Sequence, residues 1–157
     1  MKRKKKILLI VVLLIVIGGA IGGGIAYYMW NKPHRNIESE APEFEMSAAQ
    51  FAQEYEDEEA GNEKFLNNVV LVKGVVDEIS KEKSGRETLV MSTDNGDILA
   101  ALDKKYWEEE DYRSKLEEVA AGKEVAVKCY CSGVIKDSLL GMVISNIALK
   151  NCFIQSK

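Results

Sequence analysis

Apolar and polar residues alternate in distinct regimes along the chain, and each regime predicts an element. Ile7 to Trp30 contains no charged residue. Twenty-four helical residues span about 36 Å, enough to cross a bilayer core of roughly 30 Å with some tilt. Asn31 to Glu45 (NKPHRNIESEAPEFE) holds both prolines and has little apolar periodicity, so residues 31–46 read as a linker. Ser47 with Gln50 has the form of a capping box. Phe51 and Tyr55 follow at helical spacing, predicting a short amphipathic helix from Ala48 to about Glu59, stopped by Gly61.

The stretch Asn68 to Ile79 (NVVLVKGVVDEI) organises the rest. Seven of its twelve residues are Val, Leu or Ile, the β-branched bias of a strand buried on both faces. Gly74 in its middle predicts a bulge or bend that lets one strand serve two halves of a curled sheet. Glu87 to Thr93 reads as a second strand, Asp94-Asn95-Gly96-Asp97 as a hairpin turn, and Ile98 to Leu102 as a third strand. Lys104 to Ala121 predicts a helix with Tyr112, Leu116 and Val119 on one face and Gly122 at its C-cap. Glu124 to Val134 alternates as a fourth strand, with Val125, Val127, Cys129 and Cys131 on one face and Lys128, Tyr130 and Ser132 on the other. A turn over Lys136 to Gly141 leads to a fifth strand, Met142 to Ile154.

Three strands, a helix and two strands, with a bent first strand, match a mostly β five-stranded OB-fold barrel carrying an extra N-terminal helix and preceded by one transmembrane helix. The helix after Ser47 is expected to cover the outer apolar face of the first strand. An α+β sheet of other topology is the alternative. The organisation is then a basic tail (1–6), an anchor (7–30), a linker (31–46) and a barrel domain (47–157).

Charge refines this picture. The basic block Lys2 to Lys6 places the N-terminus in the cytoplasm and the domain outside. A signal peptide cleaved near Gly24-Ile25-Ala26 competes with a retained signal-anchor; the aromatic cluster Tyr27, Tyr28 and Trp30 favours retention. Gly18 and Gly22 have GxxxG spacing, which suits a membrane homodimer. Seven of the 21 basic residues lie at or before residue 35 and all 25 acids lie after it, so the outer part carries 14 − 25 = −11. That argues against a nucleic-acid partner, whose phosphates call for a basic face.

Candidate chemistry is sparse. One linker histidine, His34, and no nucleophile elbow, phosphate loop or metal-spaced ligands leave no catalytic residue, metal or cofactor to assign. The acidic run Glu54 to Glu59 lacks calcium-loop spacing and reads as a solvated helix face. Of Cys129, Cys131 and Cys152, at most one pair can bridge. If a bridge forms, Cys152 is in it; otherwise all three are small buried hydrophobes. OB-folds bind on strands two and three between the loops joining strands one to two and four to five. Here those loops carry Lys81, Lys83, Arg86 and Lys136, and the strands lack aromatic residues for base stacking.

Ser47-Ala48, Phe51, Tyr55, Asn62-Glu63-Lys64-Phe65, VVLVKGVVDEIS, Gly122-Lys123-Glu124-Val125, Cys131 with Gly133, and Ile147, Leu149, Cys152 and Ile154 recur in order. In these residues the chain, over about 47 to 155, resembles the tRNA-anticodon-like OB-fold proteins, membrane- or lipid-anchored proteins found especially in Bacteroidetes-type bacteria. The resemblance implies an OB-fold and, with the anchor, a single-pass inner-membrane protein with a periplasmic domain. It also implies a Cys131–Cys152 pair with Cys129 the odd thiol, and it brings no catalytic or ligand residues. The expected function is a binding or assembly module for an envelope protein, peptide or glycan. Single-stranded nucleic-acid binding is the alternative, and a redox-sensing role for Cys129 a further one.

Overall fold

The computed structural model describes residues 2–30, 36–139 and 142–155. The chain divides into two compact units, Met1–Arg35 and Asn36–Lys157. In the first, α1 (Lys2–Trp30) is one continuous helix, whose segment Lys6–Trp30 is long and apolar enough to cross a membrane. A signal sequence has the same properties. Apart from the helix's own backbone, no atom lies within 4 Å of a Cβ built on Gly18 or Gly22. Residues 31–35, including His34, lie outside the described residues, as do Leu140 and Gly141 of the expected 136–141 turn.

The second unit starts earlier than the linker reading allows. Ile37 is buried, and Phe44–Ser47 forms a strand, β1. Ser47 then caps α2 (Ala48–Glu54) with the expected box: its Oγ accepts from Gln50 N–H at 3.2 Å, and Gln50 Oε1 accepts from Ser47 N–H at 3.2 Å. The expected single helix is broken, because Asp57 starts a second one. Its Oδ1 accepts from Glu59 and Ala60 N–H at 3.1 and 3.2 Å, capping α3 (Glu58–Phe65). Gly61 is therefore no terminator. It lies inside α3, where a Cβ would come within 2.6 Å of the Tyr55 ring.

The expected first strand appears as β2 (Val69–Val75) and β3 (Glu78–Lys81). β4 (Glu87–Thr93), β5 (Gly96–Leu102), β6 (Glu124–Leu139) and β7 (Met142–Gln155) follow. The sheet has seven strands in the order β1-β2-β6-β7-β5-β4-β3. The two extra strands are β1 and the split of the first strand; otherwise this is the mostly β, OB-type strand order.

β2 and β3 lie near opposite margins of that order yet are joined by Val76 and Asp77 alone, so the sheet must curl back on itself. The switch is visible in consecutive hydrogen bonds: Val76 N–H donates to Lys123 O at 3.0 Å, and Asp77 N–H to Val90 O at 2.8 Å. The bend thus falls two residues after Gly74. Gly74 serves a close approach instead: its Cβ would lie 2.7 Å from Ala48 Cβ and 3.0 Å from Met91 Sδ. α2 therefore meets β2 on the side of buried Met91 rather than covering its outside, and Val69, Val70 and Val72 are all fully buried.

Phe44, Phe51, Tyr55 and Phe65 form the aromatic part of the core beside β2, with edge-on ring contacts at 5.0 to 5.3 Å. Such pairs contribute about 0.5–1.5 kcal/mol each beyond their area. The expected helix after the third strand is also two pieces, α4 (Lys105–Glu108) and α5 (Glu110–Glu117), broken where Glu109 adopts extended backbone. Gly122 does not cap α5, which ends at Glu118. It takes φ +86° in the turn before β6 and donates to Val76 O at 2.7 Å.

Candidate functional site

The face on which OB-folds bind lies on β4 and β5. Leu89, Met91, Ile98, Ala100 and Leu102 point into the core, which leaves Thr88, Val90, Leu99 and Ala101 partly exposed on the other side. With Ser92 and Asp97 on the same side, that face mixes aliphatic and polar positions, and neither strand contains an aromatic residue. Two of the four expected basic residues have acidic partners. Lys81 pairs with Glu87 at 3.0 Å and Lys136 with Glu58 at 2.5 Å. Lys83 and Arg86 are exposed on the β3–β4 turn.

Register separates the four residues further. Lys81 faces Glu87 at one end of the β3–β4 pair. Lys136 faces Ser145, whose carbonyl lies against Gly96 at the opposite end of β4 and β5. They form no single site.

The expected cysteine pairing is corrected. Cys129 bonds Cys152, and Cys131 is the buried free thiol. A register shift explains it. Lys128 faces Phe153 and Tyr130 faces Lys150, so Cys129 alone stands opposite Asn151 and Cys152. Asn151 takes up the extra residue at φ +50°, and Cys152 reaches the core beside Cys129. Cys131 instead faces Leu149 and lies 3.2 Å from the Tyr55 hydroxyl. Burial raises the pKa of both groups. Cys129, the candidate redox sensor, is thus a bridged core residue.

A cluster that sequence reasoning missed holds residues 36–43 against the barrel. Lys128 is buried, and its Nζ donates to the carbonyls of Glu38 at 2.5 Å and Glu40 at 3.0 Å. The Glu38 carboxylate accepts from Lys105 Nζ at 2.7 Å and from the Tyr112 hydroxyl. Those hydrogen bonds hold the Glu38 carboxyl below the usual range and raise Lys105 and Tyr112 above theirs. Tyr112 stacks edge-on against Tyr106 at 5.4 Å. The Tyr106 hydroxyl accepts from Ile154 N–H at 2.6 Å, and burial pushes its pKa up to about 12. No local signal marked this cluster, because Lys128 alternates onto the polar face of its strand with Tyr130 and Ser132.

Two of the surface concavities are further candidates. One, of about 600 Å³, has an apolar floor of Val119, Val125 and Ile154 under Lys73, Lys115 and Lys123. The other, of about 730 Å³, runs beside β1 and α2. Among the described residues no cluster of three or more metal-ligating side chains exists, and we identify no nucleophile–base pair.

A family model described as tRNA_anti-like matches residues 1–146, taking in the N-terminal helix as well as the domain as far as β7. Comparison with curated proteins finds no match. Among solved structures, the chain is similar to an aspartyl-tRNA synthetase from Entamoeba histolytica at 7% identity and TM-score 0.36, over 57% of this chain and 19% of that one. It is also similar to a structure assigned as an aspartyl-tRNA synthetase from Leishmania major Friedlin at 9% identity and TM-score 0.44, over 86% of this chain and 26% of that one. At these scores neither likeness carries an argument about this chain.

Proposed function

The chain belongs to the tRNA_anti-like family, and from that premise we propose that it is a non-catalytic OB-fold binding module. Its apolar N-terminal helix would serve as a single-pass inner-membrane anchor, presenting the domain in the periplasm to an envelope protein, peptide or glycan. One observation carries the preference for such a partner. The OB binding face on β4 and β5 carries no aromatic residue to stack a base, its outward positions being Thr88, Val90, Ser92, Asp97, Leu99 and Ala101. A single strand of nucleic acid needs aromatic platforms and a basic track, whereas this domain is acidic.

Nucleic-acid binding remains the second reading, supported by family membership. The test is titration of the full chain in nanodiscs with fluorescent single-stranded RNA and DNA, alongside crosslinked capture in native membranes. The expected result is a specific crosslinked partner and no saturable nucleic-acid binding even at low salt. Salt-sensitive, saturable nucleic-acid binding would overturn the preference.

A further inference from the structure

β1 is a terminal strand of the sheet order, and among the described residues its one strand partner is β2. Glu43 N–H donates to Val69 O at 2.8 Å. Alternation along the strand then turns the N–H and C=O groups of Phe44 and Met46 away from β2. Such an edge is a template for another strand unless something covers it. The concavity of about 730 Å³ opens beside its Glu45 and Met46, lined further by Gln50, Gln53, Glu54, Glu56 and Asp57.

We propose that this groove takes an extended cationic peptide segment, which adds to the free edge of β1 as a further strand. In an added strand, side chains alternate in direction. One set meets Met46, and the other, Lys or Arg, meets the carboxylates. Glu54 holds Lys64 at 2.9 Å and Glu45 holds Lys73, but in both pairs the two side chains are about half exposed. Exposed pairs contribute about 0–1 kcal/mol, so exchanging the partner cation costs little. The −11 charge of residues 36–157 steers a cation toward the domain. The same charge opposes a second copy, which would bring its own Glu45, Glu54 and Glu56, and opposes nucleic acid or an anionic lipid surface. The inference rests on the binding-module reading and names that module's partner chemistry and docking edge.

The probe is a fluorescent peptide of about nine residues with alternating valine and lysine, titrated against the full chain in zwitterionic nanodiscs. The controls are a valine–glutamate counterpart and a valine–lysine peptide N-methylated at alternate amides, which cannot pair with an edge. Saturable binding is expected, weakened at least about tenfold by either control and by the double variant Glu54→Lys/Glu56→Lys, which should retain the wild-type circular dichroism spectrum. Hydrogen exchange should slow at Phe44–Ser47 when the peptide is bound, a readout independent of any variant.

Binding indifferent to N-methylation, protection confined to another surface, or β1-mediated dimerisation of the chain would each overturn the proposal. If the peptide fails but native-membrane crosslinking still captures a partner, the docking edge is wrong and the binding-module reading stands. If both fail, both fall.

Discussion

The cysteine pairing admits a count as well as an energy. The bridge closes a loop with sequence separation 23. In the chain-entropy model, a loop of that length gives up roughly 11 cal/mol/K of denatured-state entropy, about 3 kcal/mol at 25 °C. Cys129→Ala should therefore lower the urea midpoint of the domain by roughly 2 M, for a slope of about 1.5 kcal/mol/M. Cys131→Ala leaves the bridge intact but strands the buried Tyr55 hydroxyl, a loss of about 1–3 kcal/mol.

Thiol labelling separates the pairings more sharply than stability does. Unreduced native protein should take no maleimide, because Cys131 is buried; unfolded without reductant, it should take one. Unfolded Cys129→Ala should take two labels, on Cys131 and Cys152. A count of zero in that variant would mean that Cys131 and Cys152 pair readily. If wild-type protein also yielded a peptide linking Cys131 to Cys152 after digestion, the register argument would be refuted.

Three further outcomes follow from the packing. Gly61→Ala places a methyl 2.6 Å from the Tyr55 ring, an overpacking cost of about 1–3 kcal/mol that calorimetry should read as a melting point roughly 5–15 °C lower; an unchanged melting point would show that the ring gives way. Glu38 has a folded carboxyl pKa lowered by Lys105 and Tyr112, so its contribution is present above the ordinary carboxylate range and is lost as pH falls through the lowered value. Protease cleavage within residues 36–43 should rise on acidification, and Glu38→Gln should be cut faster at neutral pH with a flatter pH dependence; an identical pH profile in the variant would remove Glu38 from the account. Lys128→Met deletes the donor to Glu38 O and Glu40 O, worth about 1.5–3 kcal/mol per charged hydrogen bond, and should expose the same segment to protease while the barrel's circular dichroism persists.

The strands were legible because their signals are local. Period-two alternation and β-branched runs marked β4 at both ends and β6 at its start, although β6 runs on to Leu139 through residues expected in a turn. Asn95-Gly96 marked the hairpin between β4 and β5, where Gly96 takes φ +119°. What the sequence hid depends on register or on distant partners. The bulge at Asn151 decides which cysteine meets Cys152, and no count of spacing shows it. Asp57 read as one more acid in a solvated run, and only its hydrogen bonds to Glu59 and Ala60 reveal a second helix start. Glu38 and Lys128 are 90 positions apart, so a segment with linker composition could not be seen as docked. Of the four basic residues expected on loops, Lys83 and Arg86 lie on the β3–β4 turn, whereas Lys81 ends β3 and Lys136 lies inside β6. The pairing of Lys136 with Glu58 and of Lys81 with Glu87 lies in side-chain geometry.

Fold and ligand are therefore specified by different residues. Val69, Val70, Val72, Leu89, Met91 and Ile98, all fully buried, specify the curled sheet that the family match describes, and they would serve any OB-fold whatever it binds. Recognition depends on the positions those residues leave facing outward, and there β4 and β5 present Thr88, Val90, Ser92, Asp97, Leu99 and Ala101 and no aromatic ring. Family membership and an acidic surface without base-stacking rings are compatible, because no core residue need change when the outward positions do. The four-residue β1 packs Phe44 against Phe65 and places a margin of the sheet order beside Glu45 and Met46 of the acidic concavity.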